Sequence, residues 1–182
     1  VSFGNDGNIS QDKLEDCINI DLANNFGNLC QRVISFTIKN CSGKIPEKIN
    51  FEKDDLDILN KYKENISKIR LEIDNQNINF YIDYIVNSLF EANKYFNDQE
   101  PWKKKDDKIR LNTIVYTTLE IVRKISFLLY PIIPESSLKA LKIFDIEEKD
   151  IKLDTVSNNE YLIKGNNICL LYTSPSPRDP WK

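Results

Sequence analysis

The sequence contains no histidine and no methionine among its 182 residues. The absence of histidine excludes Ser-His-Asp and Cys-His catalysis, and it removes the commonest protein ligand of zinc. Because the chain begins at Val1 and contains no methionine at all, we expect it to be an internal or C-terminal piece of a longer protein.

Glycine and cysteine are also scarce, at five and four residues. The glycines form no phosphate-binding loop of the GxGxxG or GxxxxGK type, so neither kind of nucleotide site is predicted. No two cysteines have the CxxC spacing of a zinc ribbon or a thioredoxin-like redox site. Cys17 and Cys30 fall on helical patterns and are predicted to be small core residues, and a reducing, cytoplasmic compartment is expected.

The charge, the apolar runs and the acidic residues of the chain indicate no nucleic-acid, membrane or metal site. The net charge of −3 does not indicate a nucleic-acid-binding protein, although such binding depends on local electrostatic fields rather than on the total charge. No apolar run reaches about 18 residues, so no membrane span is predicted. The acidic residues near the start match no calcium loop, and no metal site is predicted at Asp6, Asp12, Asp16 and Asp21.

Apolar residues recur at steps of three and four through most of the chain, as one buried helix face requires. The first such pattern runs from Leu14 to Phe36, and poor helix formers at Asn24, Asn25 and Gly27 predict a break or bend within it. Further helices are predicted over 59–73, 78–96 and 109–129, with a shorter one from Pro134. Without any βαβ rhythm, this order predicts an all-α fold, an antiparallel helical bundle.

The end of the chain differs in character from the rest. Residues Cys169 to Asp179 read CLLYTSPSPRD, which looks like the in-frame translation of a sequencing adapter rather than evolved protein. The alternative is a disordered Ser/Pro tail. We therefore predict that residues 169–182 are an artefact outside the fold. Residues 146–168, the C-terminal segment, alternate weakly between apolar and polar residues, which leaves a strand-like segment or a loop open.

Asn28 and Arg32 are the first candidate binding residues. Their i and i+4 spacing presents both side chains on one side of a helix, beside the apolar seam that includes Phe26 and Leu29. An amide and a guanidinium together can read the edge of an unstacked base and hold a phosphate. The alternative is a solvated helix face on which the arginine contacts a neighbouring helix.

Pro101 and Trp102 follow the third helical pattern directly. Pro101 is expected to end the helix, and Trp102 then lies at a bend from which its indole ring can stack on a base of single-stranded RNA. The alternative is a tryptophan that covers the end of the bundle core. The charged run that follows, 103–108, is either a set of phosphate contacts or a solvated loop.

Three segments, in order, resemble landmarks of the methionyl-tRNA synthetase family. The segments Val1–Ser10 and Ile18–Arg32 together resemble the junction at which the catalytic domain passes into the anticodon-binding bundle. The segments Glu91–Trp102 and Leu129–Glu135 resemble the second and third landmarks. The resemblance implies that residues 1–9 end a linker from a missing catalytic domain. It implies further that residues 10–145 form a bundle of the class I synthetase anticodon-binding type and that the C-terminal segment is truncated.

The resemblance also implies the roles of the candidate residues. Asn28, Arg32 and Trp102 would contact the CAU anticodon of tRNA(Met), with Trp102 stacking on its first base and Pro101 positioning that ring. Asn97 departs from an acidic residue that some relatives carry, and it is left out of the predicted site.

By the same resemblance, the methionine, ATP and Mg sites of the family belong to an upstream domain with HIGH and KMSKS signatures, which are absent here. The chain is therefore expected to recognise tRNA as part of a methionine–tRNA ligase, without being catalytic by itself. Two alternatives stay open. One is the same domain from another class I synthetase, and the other is a helical protein-interaction module without RNA affinity.

Overall fold

The computed structural model of the protein describes residues 25–168. Six α-helices and no strand occur within this range. The helices are α1 (Asn28–Asn40), α2 (Lys53–Asp74), α3 (Ile78–Asp98), α4 (Lys108–Leu129), α5 (Pro134–Lys142) and α6 (Leu153–Ser157). The predicted all-α bundle is confirmed. None of these helices combines the length and the hydropathy that a membrane-crossing helix needs.

Several predictions concern residues outside the described range. They are the linker at 1–9, the start of the first helical pattern from Leu14 to Leu22, the core position of Cys17, the four aspartates that match no calcium loop, and the artefact at 169–182.

Residues 25–27 form a π-helical turn that runs directly into α1, and the residues before them lie outside the described range, so the predicted break between two helices stays a prediction. Gly27 has helical angles, with φ at −59° and ψ at −45°, so the glycine does not end the helix. Cys30 is fully buried in the core, as predicted. Asn28 and Arg32 lie on the opposite, exposed side of α1.

Helix α4 is the centre of the bundle. It contacts α1, α2, α3 and α5, and nearly all of its residues are buried. A capping box between Glu52 and Asp55 starts α2, and Pro134 occupies the first turn of α5. The three-residue connection between α2 and α3 makes these two helices antiparallel neighbours.

The buried face of α4 also carries charged side chains that hold the C-terminal segment. Glu120 and Arg123, both fully buried, form an ion pair at 2.7 Å. Arg123 donates hydrogen bonds to the carbonyl oxygens of Thr155 at 3.0 Å and Asn158 at 2.7 Å. Glu120 accepts from the backbone N–H of Leu162 at 2.6 Å. These bonds supply the partners that a buried ion pair requires.

The C-terminal segment therefore forms neither a strand nor a loop throughout. It contains a 3₁₀ turn at Glu148–Asp150 and the short helix α6. Its extended pairing is limited to an isolated bridge between Asn167 and Lys44. The weak alternation in the sequence carries no information on this arrangement, because the contacts that order the segment come from α4.

Lys124 contributes a pH-dependent term to stability. Its Nζ donates to the carbonyl oxygen of Val156 at 2.5 Å. Burial lowers the pKa of Lys124 to about 7, and the positive charges of Arg123 and Lys63 act in the same direction. The negative charge of Glu120 opposes them. Between about pH 7 and the ordinary lysine pKa of about 10.4, the unfolded chain binds a proton that the folded chain lacks. The free energy of unfolding should therefore rise with pH in this window, by at most about 1.4 kcal/mol per unit.

We expect Lys124→Met to lose this rise, measured by urea unfolding between about pH 7.5 and 9.5. Loss of the hydrogen bond to Val156 shifts stability at every pH, so the slope is the informative quantity. The exposed Lys139→Met on α5 serves as the control and should keep the slope of the parent. If the free energy of unfolding rose equally with pH in the parent and in Lys124→Met, the lowered pKa of Lys124 would be contradicted. Above about pH 10 a second group changes the slope. Burial raises the pKa of Tyr81 to about 12, so its contribution to stability is complete below the ordinary tyrosine value of about 10 and is lost as pH rises from there to about 12.

Candidate nucleic-acid interface

The guanidinium of Arg32 lies against the C-terminal end of α3. Its Nη2 donates to Asn97 Oδ1 at 2.7 Å, and its Nη1 lies 3.4 Å from Asn93 Oδ1. Both partners are neutral amides, and no carboxylate within residues 25–168 forms an ion pair with Arg32. Arg32 is exposed, and among the described residues its guanidinium has no acidic partner. Of its five N–H donors, three make no hydrogen bond to the part of the chain that the structure describes.

Phe96 brings Arg32 and Trp102 to one place. The Phe96 ring is almost completely buried and lies 5.5 Å from the Arg32 guanidinium carbon. Trp102 packs edge-on against the same ring, with centroids 6.1 Å apart and planes at 68°. Trp102 is 40% exposed, so much of the indole remains accessible to solvent. For both residues the alternative interpretation describes part of this arrangement. Arg32 contacts a neighbouring helix while staying exposed, and Trp102 contacts the core while staying half-exposed.

The Trp102 turn, residues 100–103, has an unusual backbone. Glu100 has a φ of 44° in the left-handed region, which costs an ordinary residue about 1–2 kcal/mol. Pro101 is buried and begins a 3₁₀ turn that ends at Lys103. Residues before proline are ordinarily extended, so this conformation depends on surrounding contacts. The structure thus agrees with the prediction that the chain bends at Pro101.

Asn28 and the charged run 103–108 complete the surface. Asn28 is exposed one helical turn before Arg32, about 6 Å along α1, and its side chain makes no hydrogen bond within the described part of the chain. In the run, Lys103 pairs with Glu100 at 2.8 Å, and both side chains are largely exposed. Asp107 has a structural role, because its carboxylate accepts from the backbone N–H of Arg110 at the start of α4.

A buried polar network borders the Trp102 turn. The fully buried Asp55 of α2 accepts two hydrogen bonds from Arg110 of α4, at 2.5 and 3.0 Å. Tyr95 of α3 donates its hydroxyl to Asp55. Burial, together with the hydrogen bond to Asp55, raises the pKa of Tyr95 and keeps it a neutral donor. Gln99, directly after α3, accepts from Arg110 at 2.6 Å. The network ties the ends of three helices together.

Comparisons with known proteins identify the family. A family model for the anticodon binding domain of methionyl tRNA ligase matches residues 45–171. The chain belongs to this family. It is 38% identical over 162 residues to the methionine–tRNA ligase of Mycobacterium leprae (strain TN), covering 86% of this chain and 30% of the relative. It is 37% identical over 147 residues to that of Brucella suis biovar 1 (strain 1330), covering 80% of this chain and 28% of the relative.

Solved structures of Mycobacterium tuberculosis methionyl-tRNA synthetase have the same fold as this anticodon-binding domain. The apo form aligns with a TM-score of 0.87 at 31% identity, covering 97% of this chain and 37% of that chain. The complex with methionyl-adenylate aligns with a TM-score of 0.85 at 32% identity, covering 92% and 34%. The chain thus spans 30% of the Mycobacterium leprae relative and 37% of the apo structure. These comparisons confirm the predicted family and bundle type, and they do not favour the alternatives.

The individual site residues remain predictions. The family match begins after α1 and so excludes Asn28 and Arg32, and although it spans Pro101 and Trp102 it does not test their roles. Sequence reasoning missed the residues that surround Arg32. Asn93 and Asn97 stand at i and i+4 on α3, which indicates one shared face but not which helix that face meets. Phe96 belongs to the apolar pattern of α3, so nothing in the sequence distinguishes it from other core residues.

Proposed function

We propose that this chain is the tRNA-recognising part of a methionine–tRNA ligase and reads the CAU anticodon of tRNA(Met) through Asn28, Arg32 and Trp102. The observation that carries the proposal is the convergence on the buried ring of Phe96 of a half-exposed indole and a guanidinium that forms no ion pair within residues 25–168. Stacking and charge-assisted hydrogen bonds are the two means by which proteins recognise unstacked bases of RNA loops.

Each side chain has a distinct part in this proposal. Trp102 stacks on the first anticodon base, while Pro101 fixes the start of the turn that presents it. Arg32 directs its remaining N–H donors toward a base edge or a phosphate. The exposed amide of Asn28 hydrogen-bonds to a base edge on the same side of α1. Lys103 and its neighbours in the charged run offer contacts to the RNA backbone.

The charging reaction belongs to the longer ligase, and its catalytic domain is the second proposed partner of this chain. ATP and Mg are assigned to that domain, because the residues here do not fit them: the chain has no phosphate loop, and within residues 25–168 no three Cys, Asp or Glu side chains meet to hold a metal ion. No reaction step is therefore assigned to this chain. The cytoplasmic compartment expected from the cysteine pattern is part of the same proposal.

Binding to two labelled RNA hairpins tests the proposal. One hairpin carries CAU in its loop, the other a scrambled loop, and fluorescence anisotropy is followed over a series of salt concentrations. We expect preferential binding to the CAU hairpin. Arg32→Ala should weaken it by about tenfold or more, the usual effect of removing a charged hydrogen bond. If Arg32 neutralises one phosphate, the slope of log affinity against log salt should fall by about 0.7.

A matched arginine controls for the change of charge. Arg70 is exposed on α2. It lines the same pocket as Tyr81, which lies on α3 about 24 Å along the helix from Asn97. Arg70→Ala should keep the affinity for the CAU hairpin and its preference over the scrambled loop. Equal binding of both hairpins, or no binding of either by folded protein, would contradict the proposal. Unchanged binding by Arg32→Ala would remove Arg32 from the site.

A further inference from the structure

The two ends of the connection between α3 and α4 are joined through one side chain. Gln99 is half-buried at the start of this connection, and its Oε1 accepts from Arg110 Nη2 at 2.6 Å. Its Nε2 donates to Asp54 Oδ2 at 3.0 Å. Both ends of the amide are therefore in use, one on α4 and the other on α2. The segment between Gln99 and Arg110 carries the Trp102 turn.

The Arg110 guanidinium that holds Gln99 has several further contacts of its own. Arg110 is held by two hydrogen bonds to the buried carboxylate of Asp55, and its Nε lies 3.3 Å from Glu52 Oε1. The backbone N–H of Arg110 is capped by Asp107 at 3.0 Å. A hydrogen bond from this guanidinium consequently links Gln99 to the first turns of α2 and α4.

The Trp102 turn needs such an anchor. Glu100, the residue after Gln99, adopts a left-handed conformation that is unfavourable without external support. Trp102 itself has one aromatic neighbour within residues 25–168, the edge of Phe96. The backbone of the turn sets the direction in which the indole leaves the chain, and the turn directly follows Gln99, which Arg110 and Asp54 hold.

We propose that Gln99 is a positioning residue for Trp102: its amide, held between Arg110 and Asp54, fixes the turn that presents the indole ring to an anticodon base. The second half of this inference rests on the proposed anticodon site. The first half, the orientation of Trp102, is a property of the free protein and is measurable without RNA.

Trp102 fluorescence reports on the inference directly. In the full chain with Trp181→Phe, Trp102 is the remaining tryptophan of the two in the sequence. Gln99→Met keeps the length of the side chain but removes both hydrogen bonds. We expect greater acrylamide quenching and faster local anisotropy decay of Trp102 in the absence of RNA. We also expect the affinity for the CAU hairpin to fall about three- to tenfold, as for the loss of one or two hydrogen bonds.

Two further variants separate positioning from general destabilisation. In the double variant Gln99→Glu with Asp54→Asn, the new carboxylate can accept from Arg110 as before, and it can also accept from the new amide at position 54. Both hydrogen bonds are thus restored, and the quenching and the affinity should return to the parent values. Asn77→Ala removes an amide that donates to Glu72 at 2.9 Å, at the opposite end of α3, and should leave Trp102 unaffected. Circular dichroism confirms that each variant is folded before it is compared.

The outcomes distinguish this inference from the proposed function. Unchanged quenching and anisotropy decay in Gln99→Met would overturn it, as would equal effects of Asn77→Ala. The rescue variant should behave as the parent, and failure of the rescue in a folded protein would also overturn it. If Gln99→Met mobilises Trp102 but the parent does not prefer the CAU hairpin, the positioning of Trp102 stands and the proposed function fails.

Discussion

Replacing Trp102 by alanine is expected to weaken binding of the CAU hairpin by about 1–3 kcal/mol, the contribution of one base stacked on an aromatic ring. This corresponds to roughly a 5- to 150-fold loss of affinity. The folded protein should lose only about 1 kcal/mol, because the described ring contact of Trp102 is the edge of Phe96 and such pairs contribute modestly. Anisotropy of the labelled hairpin and thermal unfolding by circular dichroism measure the two effects on the same samples.

Two variants control for loss of an exposed aromatic side chain. Phe90, also on α3, is 70% exposed, and Phe90→Ala should leave RNA binding unchanged. Trp102→Phe keeps a stacking surface and should retain most of the affinity. A loss of stability above about 3 kcal/mol in Trp102→Ala, typical of a buried aromatic, would instead favour a tryptophan that mainly covers the core.

Asp55→Asn is expected to lower the free energy of unfolding by about 3–5 kcal/mol, the usual result of removing one partner of a buried ion pair. The carboxylate is fully buried and accepts from Arg110 and Tyr95 as well as from the backbone N–H of Glu52 at 2.9 Å. An amide of the same size leaves the Arg110 charge without its buried partner. It also brings an NH₂ group toward donors. Urea unfolding followed by circular dichroism measures the change.

Asp57, two residues further along α2, provides the comparison. It is exposed, so Asp57→Asn makes the same chemical change on the same helix, with an expected effect within about 0.5 kcal/mol. If Asp55→Asn lost no more than Asp57→Asn, the buried network would not hold the three helix ends. Because Gln99 shares Arg110 with Asp55, the Asp55 variant should also increase the mobility of Trp102.

Helices α2 to α5 were predictable because their apolar residues repeat at the period of the helix. The pattern that starts at Leu59 shows the limit of this signal. Helix α2 begins at Lys53, six residues earlier, in a capping box whose Asp55 reads in the sequence as an ordinary charged residue. Local periodicity identifies a helix well, but its first turn depends on caps and on contacts with other helices.

The charges of α4 show why burial was harder to predict. Glu120, Arg123 and Lys124 stand at i, i+3 and i+4, a spacing that usually indicates a solvent-facing ion-pair surface. All three are fully buried, because the C-terminal segment packs over them and offers its backbone carbonyl and N–H groups as partners. A pattern on one helix carries no information about a segment that returns from thirty residues away.

The sequence by itself determined the all-α class, the order of the helices and the family. Helix periodicity is a local property, and the three landmark segments keep their order along the chain. Only the tertiary structure decided what surrounds Arg32. Its contacts with Asn93 and Asn97 join residues 61 and 65 positions apart, and they exist because α1 crosses the end of α3. The crossing depends on how the whole core packs, and no short stretch of sequence specifies it.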